Sequence, residues 1–384
     1  MTREFDLPEE GSFVMRIWSP DATGPIVARV VGDRLEDITS IRIPTMQALL
    51  EADDPADLAF TAPGVAVMDL GDLARNAVER PDPARPVPLA PCDIQAIKAC
   101  GVTFAASMLE RVIEEKAMGD PSRADDMRRQ CTAVIGDSLQ DIRPGSDAAM
   151  QLKETLIELG VWSQYLEVGI GPDAEVFTKA QPMSAVGTGA AVGLHPVSTW
   201  NNPEPEIVLA VDSRGRIKGA TLGNDVNLRD VEGRSALLLG KAKDNNAACA
   251  IGPALRLFDT GFGLDDIRRM DIDLTVTGPE GFTLNGHSSM AEISRDPEDL
   301  VAQVRGPHHQ YPDGVFLFLG TLFAPTEDRD IPGKGFTHKL GDVVRIHTAL
   351  LGSLQNTVRL STEAPEWTFG TAALMRNLAQ RNLL

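Results

Sequence analysis

Three acidic residues and a lysine, Glu204, Glu206, Asp225 and Lys243, have the types and spacing of a metal site with a base beside it. Glu204 and Glu206 are two apart, and in a strand side chains at i and i+2 share a face. The apolar run 207–211 reads as a strand, Asp212-Ser213-Arg214-Gly215 as a turn, and 216–222 as the returning strand. A turn centred near Ser213-Arg214 sets 221–223 opposite 204–206 and leaves Asp225 just past the strand end, close to Glu204. Diagonal cross-strand neighbours have Cβ atoms about 5–8 Å apart, a gap that one cation can bridge. Three unpartnered carboxylates so close would repel. A hard divalent cation removes that repulsion, and all-oxygen ligation suits Mg2+, Mn2+ or Ca2+ rather than zinc. Spacing alone also permits three solvated acids on an exposed hairpin.

Several elements must carry these residues. Short strands are expected within residues 12–36, with a hairpin turn at Gly32-Asp33. A helix is expected from Pro44 to Leu50, with proline at its first position. Residues 74–91 hold Pro81, Pro83, Pro86, Pro88 and Pro91, a composition suited to an extended boundary. Residues 1–88 therefore read as a small N-terminal α/β domain, and 89–384 as a β-rich domain with a helical insertion at about 104–160. In that insertion Phe104, Met108, Leu109, Val112 and Ile113 make a helical stripe, with Glu110 and Arg111 among the polar positions. Further helices are expected over 122–134 and from the N-cap Ser146 to Leu159, where Gly160 stops the turn. Strands are expected at 208–211, 272–277, 315–319 and 343–348, and a closing helix over 371–384. Strands and helices do not alternate regularly, so the class is α+β and not a doubly wound sheet.

Composition narrows the function. Of 384 residues 43% are hydrophobic and 24% charged, an ordinary balance for a folded core. A net charge of −19 repels phosphate backbones and anionic lipid, so neither nucleic acid nor a membrane is expected as a partner. No apolar run approaches the roughly 20 residues that span a bilayer. Four scattered cysteines without a C-x-x-C pair, and a start (Met1 to Phe5) without an apolar signal region, point to the cytoplasm. The glycine-rich run 187–193 follows no βαβ start and is set aside as a dinucleotide loop. His308 and His309 are neighbours and would face opposite ways in a strand; with His287 and His338 they are expected away from any metal.

The run G-N-D-V-N-L-R-D (223–230) followed by K-A-K-D-N-N-A-A-C-A-I-G-P (241–253) resembles the signature of the fumarylacetoacetate hydrolase superfamily. The resemblance implies that family's β-rich catalytic fold. It places Glu204, Glu206 and Asp225 on the metal-binding carboxylates and Lys243 on the active-site lysine. Phe177-Thr178-Lys179 resembles the family's F-x-K-P, and Gly320-Thr321 its G-T-P, which implies substrate contacts for Lys179 and Thr321. Gly341-Asp342-Val343-Val344 resembles a late G-D-V-V. Hydrolases of the family carry a histidine and a glutamate near the start of the catalytic domain to activate water. Here Glu110 keeps the acid and Ser107 stands in the histidine's place. A serine hydroxyl is a poor base at neutral pH, so elimination is expected rather than hydrolysis.

Motifs at 103–115, 162–175, 200–206 and 309–314 make the chain similar to a branch of that superfamily that dehydrates 2-keto-3-deoxy-pentonates to 2-oxoglutarate semialdehyde. The resemblance implies a Mg2+-dependent lyase for a small 2-keto-3-deoxy sugar acid, working as a homo-oligomer, a dimer or tetramer. Lys243, with its pKa lowered by burial or by the cation, would take the C3 proton, and Glu110 would protonate the departing C4 hydroxyl. Thr321 would hold the carboxylate, and Ser107, Arg111 and Arg234 would meet the polyol end. The alternatives are a family hydrolase cleaving a C–C bond of a 2,4-diketo-3-deoxy sugar acid or acylpyruvate, and a non-catalytic binding module.

Overall fold

The computed structural model describes residues 4–118, 120, 123–124, 126, 142–160, 162–321, 323, 327–330 and 335–384. In chain order its strands are β1 (Phe13–Ser19), β2 (Gly24–Val31), β3 (Arg34–Asp37), β4 (Val65–Asp69), β5 (Val87–Leu89), β6 (Ala96–Gly101), β7 (Glu175–Ala180) and β8 (Ala191–Leu194). Then come β9 (Pro205–Val211), β10 (Ile217–Asp225), β11 (Cys249–Leu257), β12 (Asp271–Thr277), β13 (Thr283–Ser289), β14 (Val315–Phe318), β15 (Val343–Thr348) and β16 (Gly352–Leu360). The helices are α1 (Met46–Leu50), α2 (Pro55–Thr61), α3 (Leu70–Asn76), α4 (Ala105–Ala117), α5 (Asp147–Glu158) and α6 (Gln164–Ile170), followed by α7 (Arg229–Glu232), α8 (Leu239–Lys243), α9 (Leu264–Ile267), α10 (Pro297–Val304) and α11 (Thr371–Gln380).

The larger sheet has the order β4-β3-β2-β1-β11-β10-β9-β14-β6-β7, with β5 beside β1. A second sheet, β13-β12-β15-β16-β8, covers one of its faces. Leu209, Val211, Ala220 and Leu222 meet Leu274, Val276, Ile346 and Leu354 between the two sheets. Helices α1 and α2 cover the other face, where Met46, Leu49 and Ala59 pack with Val208, Ala210, Phe316 and Phe318. Burial on both faces explains why β9 is apolar from Ile207 to Val211 instead of alternating. The architecture is the α+β, β-rich class expected.

Several local expectations shift. The composition change near residue 88 is not a gap in hydrogen bonding. β1 pairs with β11 (Phe13↔Arg256, Val14↔Leu255), so the N-terminal strands prolong the main sheet. The proline-rich stretch itself holds β5, which pairs with β1. Helix α1 starts at Met46 and not at Pro44, because the Thr45 hydroxyl caps Ala48 N–H at 3.0 Å and the Asp93 carboxylate takes the N–H groups of Met46 and Gln47. The proline-initiated helix is α2, with Pro55 at its start and Asp54 as cap. The helix over Ser146 to Leu159 is seen as α5, with Ser146 as N-cap. The closing helix stops at Gln380. The segment expected as a helix at 122–134 lies almost wholly outside the described residues.

The hairpin β9–β10 differs by two positions from its expected register. Its turn pairs Val211 with Ile217, and an irregularity between Ile217 and Gly219 adds one more residue. Gly223 therefore faces Glu206, and Asp225 N–H donates to Glu204 O at 3.0 Å. A side chain at 223 would collide, since a Cβ there would lie 2.2 Å from the Phe318 ring and 2.5 Å from Val208. Gly223→Ala is expected to lower the unfolding free energy by about 1–3 kcal/mol, read from urea denaturation. Gly240→Ala in α8, where a Cβ meets nothing within 4 Å, is expected to leave it unchanged or raise it.

Candidate active site

The site forms where β9 begins and β10 ends. Glu204 and Glu206 share the face of β9 that also carries Val208, and Asp225 closes β10 opposite Glu204. All three are buried, and one carboxylate oxygen from each lies within 4.8 Å of the others. This replaces the exposed hairpin that spacing alone permitted.

Counter-charges come from three other elements. Lys243, the last residue of α8, sets its ammonium against Glu204 Oε2 and 3.0 Å from Asp225 Oδ2, with its Nζ 5.5 Å from the centre of the Phe177 ring. Arg111 of α4 pairs with Glu204 Oε1 and, at 3.1 Å, with Glu232 of α7. Lys179 of β7 lies behind the triad, fully buried, 2.7 Å from Asp225 Oδ1 and donating to the backbone oxygens of Val226 and Lys243. Glu206 accepts the Gly320 N–H at 2.6 Å and pairs with no cation among the described residues. Gly320 has a φ of 93°, and a Cβ there would lie 2.0 Å from the Thr103 hydroxyl, so only glycine brings its N–H onto Glu206.

The electrostatics follow from this count. Burial, then Asp225 and Glu204, push the Glu206 carboxyl well above its usual range. Burial raises Asp225 too, but Lys179 and Lys243 outweigh it and hold that carboxyl below the usual value. Burial, helped by the Glu232 charge, lifts the Glu175 carboxyl to about 7. For Lys243 burial lowers the pKa, but Asp225, Glu204 and Glu232 overcome it and hold the lysine above its ordinary value. Burial by itself therefore does not lower this lysine, because the carboxylates that would bind a cation stabilise the ammonium. Five carboxylates (Glu175, Glu204, Glu206, Asp225, Glu232) face three cations (Arg111, Lys179, Lys243). Fully ionised, the cluster carries an excess of two negative charges, which a divalent cation matches. Oxygen donors, burial and this imbalance fit a hard cation.

The triad, Lys243, Arg111 and Thr321 line one cavity together with Glu175, Phe177, Glu232 and Val102. Its free volume is about 20 Å³, room for roughly one water, since Arg111 and Lys243 both fold onto Glu204. Val102 holds a φ of 57°, an outlier for a β-branched residue and a mark of strain at the cavity wall.

Other expected site residues are placed elsewhere. Glu110 does not line the cavity; it lies 3.6 Å from the Arg229 guanidinium, which stacks on Trp200. Successive helical side chains diverge by about 100°, so the helix that delivers Arg111 turns Glu110 away. Lys179 sits beneath Asp225 and not on the cavity wall, because β7 carries it into the core. Arg234 lies exposed in the turn after α7 and does not line the cavity. Ser107 is in the first turn of α4, its side chain outside the described residues. The residues missed are Glu175 and Glu232. Glu175 closes the motif at 162–175, and Glu232 lies two residues past the R-D of the central motif, but neither had a partner visible in sequence. Asp342 of the late motif is structural: Arg329 grips it bidentately at 2.6 and 2.7 Å and His338 Nδ1 lies at 3.0 Å. Burial raises its carboxyl, but Arg329 and His338 outweigh this and bring it down to about 2.

Residues 168–359, half of the chain, match the family described as fumarylacetoacetate (FAA) hydrolase, C-terminal. The chain is 30% identical over 194 residues to the probable 2-keto-3-deoxyxylonate dehydratase of Haloferax volcanii, covering 50% of this chain and 63% of that protein. It is 30% identical over 185 residues to the 2-dehydro-3-deoxy-D-arabinonate dehydratase of Saccharolobus solfataricus, covering 48% and 58%. Both matches thus span less than two thirds of the relative. Among solved structures, 2-keto-3-deoxy-D-arabinonate dehydratase complexed with magnesium and 2,5-dioxopentanoate superposes with a TM-score of 0.62 at 21% identity, covering 91% of this chain and 99% of that one. A fumarylacetoacetate hydrolase from psychrophilic Exiguobacterium antarcticum superposes with a TM-score of 0.56 at 15% identity, over 91% and 99%. At these identities the likenesses establish the fold. No helix among the described residues is long and apolar enough to cross a membrane.

Lys179→Met leaves Asp225 without its buried partner and is expected to cost about 3–5 kcal/mol of stability in urea unfolding, whereas Arg234→Ala leaves the midpoint in place. The Asp342 carboxyl is lower in the folded protein than its ordinary 3.8, so its contribution is full above that pH and is lost as pH falls toward 2. Unfolding midpoints measured from pH 5 to 2 should show this loss in the parent chain, and Asp342→Asn should flatten that part of the profile.

Proposed function

The chain belongs to the fumarylacetoacetate hydrolase family, and on that footing we propose that it dehydrates a 2-keto-3-deoxy-D-pentonate, the arabinonate or xylonate form, to 2,5-dioxopentanoate. The observation that carries the reading is the convergence on one buried cavity of three carboxylates, a lysine, an arginine and a second pair of acids. The relatives named as dehydratases over half of the chain support the substrate class. Ser107, where the family's hydrolases place a histidine, supports elimination over hydrolysis.

Glu204, Glu206 and Asp225 would hold Mg2+, with Mn2+ or Ca2+ as substitutes. A divalent cation held there would supply charge to polarise the 2-keto group and would balance the carboxylates that Lys243 otherwise balances. Lys243, released from Glu204 and no longer held as the ammonium, would give up its proton to solvent and, as the neutral amine, take one from C3. Glu175, whose carboxyl is raised to about 7, delivers a proton to the C4 hydroxyl, which leaves as water; it takes the role that Glu110 is too far round its helix to fill. Loss of a C5 proton and return of one to C3 leave an enol at C4–C5 that tautomerises to the aldehyde. Arg111, swung from Glu204, and Thr321 hold the substrate carboxylate and polyol ends. Substrate entry therefore requires the Arg111 and Lys243 contacts with Glu204 to open. Action in the cytoplasm within pentose catabolism, and assembly as a dimer or tetramer, belong to the same proposal.

The test offers D- and L-configured 2-keto-3-deoxy-pentonates with Mg2+ and identifies the product by NMR. The aldehyde 2,5-dioxopentanoate is expected; pyruvate plus an acid would instead mark the C–C hydrolase. Glu204→Gln, Lys243→Met and complete metal removal should each lower turnover by about a hundredfold or more, and Glu175→Gln by about 10²–10⁴. Unchanged turnover in Glu204→Gln or without metal would sink the assignment.

A further inference from the structure

A larger cavity lies at the other end of the β9–β10 hairpin. β9 runs seven residues at about 3.3 Å each, which places this cavity roughly 20 Å from the triad. It has a volume of about 630 Å³, within the range of small-ligand pockets. Its floor is apolar, built from Ile217, Phe258, Leu264 and Val301. Its polar lining is dominated by Arg214, Arg216 and Arg305 in a chain whose net charge is −19.

The three arginines are not equivalent. Arg214 and Arg216 share Asp53 and Asp212. Glu298, the acid on the wall, is held by Arg268 at 2.8 Å. Arg305, at the C-terminus of α10, makes no side-chain hydrogen bond or ion pair among the described residues, and its Nε is buried. The part of the Arg305 side chain that lines the cavity has no protein acceptor among the described residues, and the planar fork of arginine matches the two oxygens of a carboxylate or phosphate. The geometry points to a second ligand site here, for a small organic anion whose carboxylate or phosphate head meets Arg305 and whose apolar body lies on Ile217, Phe258 and Leu264. Head and floor are both required: a bare inorganic anion leaves the floor wet, and a neutral hydrocarbon leaves Arg305 unpaired.

The probes are benzoate, phenyl phosphate and the neutral benzyl alcohol, titrated by calorimetry into the full Mg2+-loaded chain. Saturable binding of at least one anion and none of the alcohol is expected, and the tighter anion names the head group. Arg305→Gln should weaken that binding about tenfold or more, and Glu204→Gln should leave it unchanged. If Arg305→Gln does not fold, Ala302→Trp, on the exposed part of the cavity wall, should abolish binding while leaving the arginines in place. The proposal is overturned by absence of saturable binding for either anion, by equal binding of the alcohol, or by an affinity indifferent to the variant that folds. It is overturned equally by loss of binding in Glu204→Gln, which would place the anion at the triad.

Discussion

Three carboxylates buried within 4.8 Å of one another are the constraint around which this molecule is built. Two like charges about 4 Å apart repel by roughly 4 kcal/mol even at an effective dielectric of 20. Packing such a group at the end of an otherwise apolar sheet requires counter-charges from elsewhere in the chain. They come from α4 through Arg111, from α8 through Lys243 and from β7 through Lys179. A backbone N–H from Gly320 completes the set. Each donor sits on a different element, so the charge balance of the triad also locks those elements to the sheet.

The sheet supplies the precision. β9 and β10 are buried on both faces, which leaves their register no freedom, since a slip by one residue would turn Leu209 and Leu222 away from the inter-sheet core. Gly223 opposite Glu206 lets Phe318 and Val208 close under the acids without a side chain between. The apolar packing thus holds the carboxylates at a fixed separation, and the cations decide their charge. The closed cavity that results favours exchange of internal ion pairs for substrate contacts over binding into open space.

Two of the three expected site residues that lie off the cavity, Glu110 and Lys179, do so through the direction of a side chain within its own element. Glu110 and Arg111 are adjacent in sequence, and a helix separates adjacent side chains by more than a right angle. Only the packing of α4 through Met108, Val112 and Ile113 against Leu166 and Ile170 selects which of the two faces the acids. Lys179 and Phe177 lie on one strand, yet Phe177 reaches the cavity wall while Lys179 is drawn beneath Asp225. Spacing within β7 could not reveal this, because the paired ladder of β6 and β7 is irregular between Ile97 and Lys98.

Local chemistry was legible in the sequence alone. The i, i+2 spacing of Glu204 and Glu206, the turn at Asp212 to Gly215, the cap at Ser146 and the apolar runs depend on neighbours in the chain, and so did the family signature around Asp225 and Lys243. What required the tertiary structure was every contact between residues distant in sequence. The register shift at Ile217, the joining of the N-terminal strands to β11, the recruitment of Glu175 and Glu232, and the hold of Asp225 and Glu204 on the Lys243 ammonium are of this kind. The physical reason is common to them: register, burial and the sign of a pKa shift are set by which groups meet across space, and one chain's local pattern is compatible with several such meetings.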